Sequence, residues 1–153
     1  MKRSLVFAAV LAMLATALPG AQAGQEKKIS GKELPAAVRA AFEKQFPGAK
    51  ILGLSSEVEN GATVYEVESV QNGRNRDVLY KPTGEVIVVE ETISMSEVPA
   101  AVQSALKAQF PKATVAKAEK LMAGGIVEYE FQLKGAAKKE AKFSAAGKLL
   151  ASE

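Results

Sequence analysis

Apolar residues recur along this chain at two spacings, and each change of spacing marks an element. Val38, Ala41, Phe42 and Phe46 fall on one face of a helix, and so do Val102, Ala105, Leu106 and Phe110. Pro35 and Pro99 suit the first helical position, while Pro47 and Pro111 stop the helices at Phe46 and Phe110. Arg39, Glu43 and Lys44 take the opposite face of the first helix. Both helices are therefore amphipathic and must lie on something.

After each helix the spacing drops to two. Val127, Tyr129, Phe131 and Leu133 point one way, and Glu128, Glu130, Gln132 and Lys134 the other. Tyr65 and Val67 match the first set, Glu66 and Glu68 the second. Asn60-Gly61 between Lys50–Glu59 and Thr63–Val70 is a strong hairpin signal, Asn72-Gly73 marks the next turn before Asp77–Lys81, and Pro82-Thr83-Gly84 leads into Glu85–Glu91. Glycine-bearing breaks at Gly124-Gly125, Gly135 and Ala145-Ala146-Gly147 divide the later strands. The expected fold class is α+β: a helix followed by a four-stranded antiparallel sheet, twice, with helices on one sheet face and the other face open. Val86-Ile87-Val88-Val89 breaks the alternation, which implies a strand covered on both faces where the two units meet.

The two halves also match residue by residue. Leu34-Pro35-Ala36-Ala37-Val38 returns as Val98-Pro99-Ala100-Ala101-Val102, and Gln45-Phe46-Pro47 returns as Gln109-Phe110-Pro111, both at an offset of 64. Tyr65-Glu66 matches Tyr129-Glu130 at the same offset. One deletion later Tyr80 pairs with Phe143, and Gly84-Glu85-Val86 with Gly147-Lys148-Leu149. This register reads as an internal duplication, with units at residues 24–93 and 94–153.

Residues 1–23 read differently. Lys2 and Arg3, the apolar run Leu5–Leu18 and the small residues Ala21 and Ala23 make the three parts of a secretory signal, with cleavage expected after Ala23. The run is shorter than the roughly 20 apolar residues that span a bilayer. The expected location is periplasmic or secreted, without membrane insertion after cleavage.

Removal of Lys2 and Arg3 changes the charge picture. The chain of 153 residues carries a formal charge of +3, and residues 24–153 carry +1, which is no footprint for nucleic acid. The absence of Cys and His excludes thiol nucleophiles, Ser-His-Asp triads and imidazole-held zinc. Asp77 is the only aspartate. Nothing calls for a cofactor, and the composition points away from an enzyme.

The helix ending Gln45-Phe46-Pro47-Gly48-Ala49-Lys50, the strand Val64-Tyr65-Glu66-Val67-Glu68 and the turn Thr83-Gly84-Glu85-Val86 resemble the PepSY family. The tandem arrangement after a signal is similar to the PepSY-like group related to secreted β-lactamase-inhibitor proteins. The second half departs at Lys112, which replaces the glycine, and at Ser144–Lys148. The resemblance implies a non-catalytic module outside the cytoplasm, with inhibitory or regulatory binding and an open sheet face that holds an enzyme. Those inhibitor relatives are braced by disulfides and this chain has none, so the resemblance does not carry over β-lactamase as its target.

The candidate partner-binding residues are Glu66, Glu68, Glu128 and Glu130, flanked by Lys81 and Lys142, on the outer sheet face. The partner would be a protein or peptide, such as a peptidase or other hydrolase. The alternative is a Ca²⁺ or small-ligand module of the cell envelope, since carboxylates are the oxygen ligands Ca²⁺ takes. Against the metal, side chains two apart on a strand stand about 7 Å apart, too far for a compact cage. Arg74, Arg76, Lys138 and Lys139 read as charged hairpin ends, which discourage edge pairing. Tyr65, Tyr80, Tyr129 and Phe143 read as core.

Overall fold

A computed structural model of the chain describes residues 26–153; the expected signal segment, residues 1–23, lies outside the described residues. A helix α1 (Ala36–Gln45) is followed by strands β2 (Lys50–Glu59), β3 (Ala62–Gln71), β4 (Arg74–Tyr80) and β5 (Val86–Ile93). A second helix, α2 (Ala100–Gln109), is followed by β6 (Thr114–Ala123), β7 (Ile126–Lys134), β8 (Glu140–Ser144) and β9 (Leu149–Ser152). A two-residue strand that the periodicity does not announce, β1 (Lys27–Lys28), precedes α1. All nine strands form one antiparallel sheet in strict chain order. The chain is thus α+β with two helices on a single open sheet.

The helices begin and end on their prolines. Pro35 and Pro99 are the N-caps, and their carbonyls accept the amides of Arg39 and Gln103. Phe46 and Phe110 are the C-caps with nearly the same backbone angles (φ −128, ψ 63 and φ −129, ψ 61), because the following proline cannot extend the helix. Asn60-Gly61 and Asn72-Gly73 both carry positive φ at two successive residues, the geometry of the tight hairpin turns that match sheet twist. The short β5–α2 connection is closed by a 3₁₀ turn, Met95–Glu97, whose capping box joins Ser94 and Glu97.

Both helices press on the same face. Val38 and Phe42 of α1 pack with Val67, Val78, Tyr80 and Val89. Val102 and Leu106 of α2 pack with Tyr129, Phe131, Leu133 and Phe143, the last pair of rings meeting edge to face at 5.9 Å. The lateral register Val67–Val78–Val89–Met122–Val127 runs through strands β3 to β7 and shows the two cores to be one continuous face. The β4–β5 and β8–β9 turns tuck beneath the helices. At Gly84 and Gly147, both with positive φ, a Cβ would stand 2.6 and 2.7 Å from the carbonyl oxygens of Ala37 and Ala101, so only glycine fits either place.

β5 is indeed the joining strand, paired to β4 on one side and β6 on the other. It is covered on both faces: Val89 belongs to the core beneath α1, and Val88 packs on the opposite face with Val64 and Leu79.

One expectation needs correction. Arg76 is not at a hairpin tip. It is 8% exposed on the helix side, its guanidinium 4.1 Å above the Phe46 ring and 3.1 Å from Glu91. The strand β4 starts at Arg74, three residues earlier than the apolar pattern shows, and carries Arg76 inward. The other three behave as expected: Arg74 is exposed and paired with Glu91 and Glu97, and Lys138 and Lys139 are exposed in the β7–β8 connection.

Candidate functional site

The helix-free face is built from the alternate residues of the same strands. Two lateral rows cross its middle. One runs Gly53, Glu68, Asp77, Glu90, Leu121, Glu128 from β2 to β7. The other runs Thr92, Glu119, Glu130, Lys142, Ala151 from β5 to β9. Beside the first row, Ser55 faces Glu66, which faces Leu79, which faces Val88. Carboxylates from five adjacent strands therefore share one face.

The sequence led us to expect this face to be wet, and its centre is not. Glu90 is 3% exposed, Glu119 4%, Glu130 5% and Lys142 5%. Each is flanked by side chains of strands on both sides, and Leu79, Val88 and Leu121 are buried among them. Glu130 and Lys142 were expected at the surface; instead they form a buried ion pair, Nζ to Oε2 3.2 Å. Lys117 reaches Glu119 at 2.5 Å. Glu66, Glu68 and Glu128 are partly exposed on this face. Lys81 lies past the end of β4, exposed and tied to Glu85 at 2.8 Å, so the fold does not bring it to the carboxylates.

Burial shapes the acids unequally. It pushes the Glu66 carboxyl up to about 8, against a hydrogen bond from Ser55 Oγ (3.0 Å) and with help from Asp77 and Glu68. Burial likewise lifts Glu90 to about 8, reinforced by Glu119, Glu130 and Asp77, with Lys142 opposing. Glu130 is also raised by burial, and Lys142 pulls it back. Glu90 Oε1 has no hydrogen-bond partner among the described residues. Among the described residues no group of three or more acidic side chains is placed to hold a metal ion.

Glu90, Glu119 and Lys117 escaped the sequence reading. Glu90 sits at the end of the apolar run Val86–Val89, where a continuous run hides which face a residue takes. The alternation Lys117-Ala118-Glu119 carried the signal for the other two and could have found them.

A sheet with two helices on one side has known counterparts. The family described as "Putative beta-lactamase-inhibitor-like, PepSY-like" matches residues 64–151. The chain belongs to this PepSY-like family. The family described as "Peptidase propeptide and YPEB domain" matches residues 35–81, so the two descriptions together span both helices and almost the whole sheet. No curated protein matches the chain. Among solved structures, a putative periplasmic protein of Bacteroides eggerthii shares 24% identity over 78% of this chain and 87% of its own, with a TM-score of 0.65. A DUF2874 family protein of Bacteroides uniformis shares 21% over 78% and 88%, TM-score 0.64. A BLIP-like protein of Bacteroides fragilis shares 22% over 76% and 83%, TM-score 0.60. These likenesses show a common fold. Among the described residues, no helix is long and apolar enough to cross a membrane.

Proposed function

We propose that this PepSY-like protein is an exported, non-catalytic binding module that holds a protein or peptide partner, a peptidase or other hydrolase, against its helix-free sheet face. The observation that carries the reading is the face itself: acids on five neighbouring strands, some buried at a cost that folding alone does not require. Buried ionisable groups concentrate where a protein does its work. The family's inhibitor-like and propeptide descriptions support binding over catalysis, and the periplasmic and BLIP-like neighbours support a place in the periplasm or outside the cell. In this reading Glu66, Glu68 and Glu128 touch the partner, and the Glu130–Lys142 pair stiffens the surface beneath it. Residues 24–93 and 94–153 descend from one duplicated unit after a signal at residues 1–23.

The test is capture from an envelope extract, with mass spectrometry of what stays bound. A captured hydrolase that is lost when Glu66 and Glu68 are both replaced by lysine, in a variant that keeps its thermal transition, supports the reading. A captured set unchanged by that reversal removes the face from consideration.

A further inference from the structure

The two halves of the helix-free face align strand for strand, yet their charges do not. Glu66 faces Ser55 on β2 and Leu79 on β4; the matching Glu130 faces Glu119 on β6 and Lys142 on β8. Gly53 faces Glu68 where Lys117 faces Gln132. The register breaks fall at matching places too, between Ile51 and Gly53 and between Val115 and Lys117. In the second half the two buried carboxylates, Glu119 and Glu130, each have a lysine, at 2.5 and 3.2 Å, while the more exposed Glu128 and Glu140 form no ion pair among the described residues. In the first half the two lysine positions are Gly53 and Leu79, and Glu68 adds an acid where the second half has Gln132. Among the described residues no ion pair joins a lysine or arginine to Glu66, Glu68 or Glu90; Lys28 of the edge strand β1 stands in the row of Glu66, but beyond Ser55 and exposed, and makes no such pair. The Glu68 carboxyl lies folded back over Gly53, 3.0 Å from where a Cβ would be, so the space a lysine stem would take is filled by the acid.

A second observation points to something missing. Glu90 stands in the same lateral row as Glu68 and Asp77, 3% exposed, and its Oε1 has no partner. A buried acid without a partner is costly, and in the second half the acid that matches Glu66, Glu130, has Lys142.

We propose that the ammonium of a partner's lysine side chain docks on Glu66 and Glu68, supplying to the first half the cation that Lys142 supplies to the second. The inference rests on the open-face reading and deepens it by naming the chemistry of the bound group. An ammonium, not a guanidinium, is the group the second half uses. Glu66 and Glu68 are partly exposed and reachable. Glu90, buried behind them, adds negative potential without direct contact once it is ionised, as Lys142 acts with the opposite sign on the other side.

The probe is a blocked pentapeptide, Gly-Gly-Lys-Gly-Gly, titrated into the methyl-labelled full chain at pH 9, where Glu66 is ionised and the lysine is still charged, and followed by side-chain methyl shifts. The control is the same peptide with the lysine acetylated on Nζ, which keeps the stem and removes the charge. The expected result is saturable shifts around Glu66 and Glu68 with a dissociation constant on the order of millimolar. The acetylated peptide should leave them unmoved. E66Q with E68Q should weaken binding by at least about tenfold. Leu79→Lys, which gives the first half its own ammonium, should compete the peptide out. If that variant does not fold, the glutamine pair decides alone. Equal shifts from both peptides, equal shifts at Glu130, or shifts that survive the glutamine pair would overturn the lysine seat. Peptide binding at Glu66 in a protein whose envelope partner ignores this face would sink the open-face reading and leave the seat standing. Face-dependent capture without peptide binding would do the reverse.

Discussion

The two halves of this molecule solve the same structural problem and a different electrostatic one. Their helices stop at the same backbone angles, their hairpins tuck matching glycines under matching carbonyls, and their strands pair in the same register. On the helix-free side the second half pairs its two buried acids, with Lys117 on Glu119 and Lys142 on Glu130, while in the first half Glu66, Glu68 and Glu90 form no ion pair among the described residues. Backbone geometry is held by sterics that tolerate few alternatives. Side-chain charge on an open face is not, and that is where the two halves differ.

The sharpest way to break this contrast is to unpair the second half. Lys142→Met keeps the stem and strands the buried Glu130 carboxylate, at an expected cost of about 3–5 kcal/mol in urea unfolding. Leu79→Met at the matching place should cost under about 1.5 kcal/mol, since it swaps one apolar group for another. Similar losses from both would mean that self-neutralisation does not distinguish the halves. Adding Glu130→Leu to Lys142→Met should recover most of the loss.

The backbone half of the comparison predicts equality instead. Gly84→Ala and Gly147→Ala each force a Cβ against a helix carbonyl at positive φ, and each should cost about 1–3 kcal/mol. A difference of more than about 1 kcal/mol between them would show that the helices sit on their sheets differently.

Titration bears on the comparison a third way, since Glu130 is raised by burial as well but pulled back by Lys142. Glu66 and Glu90 hold their protons up to about 8, well above an ordinary carboxyl, so the folded chain binds protons that the unfolded chain has released. Their contribution is present in full below the ordinary carboxylate range and is lost as pH rises through about 8. The melting temperature should therefore fall by several degrees between pH 5 and pH 9. E90Q, which leaves Asp77, Glu119, Glu130 and Lys142 around it unchanged, should flatten that fall. A melting profile with the same slope in E90Q would show that Glu90 does not set it. The smallest effect is at the surface: Arg74→Ala removes exposed pairs to Glu91 and Glu97 and should shift stability by less than about 1 kcal/mol.

Much of the fold was legible because its signals are local. Pro47 and Pro111 end helices wherever they occur, and Asn60-Gly61 turns a chain by its own backbone preference. The sides of Glu66, Glu68, Glu128 and Glu130 were legible from alternation. Their depth was not. Period two says which way a side chain points but not what stands beside it on the next strand, and that neighbour is set by register. Lys142 meets Glu130, and Leu79 meets Glu66, only because β7–β8 and β3–β4 pair as they do. Glu90 was hidden for a related reason: inside a run apolar on both faces, no polar alternation shows its side. Arg76 was misplaced because its cation is balanced by Phe46 and Glu91, residues 30 and 15 positions away, which no local window joins.

The strict order of the strands, β1 to β9 with each beside the one before it, has a consequence for how such a sheet comes into being. No strand waits for a distant one to complete its ladder. A chain released from its N-terminus first can add each strand to the growing edge as it emerges, and every intermediate is a shorter version of the finished sheet. Entropy is lost in short closures at the hairpins and in two longer ones, Ile29–Ala49 and Ser94–Ala113, which carry the helices. The edge open at any moment is the one that the next few residues will cover, which shortens the time for which it is exposed to another chain.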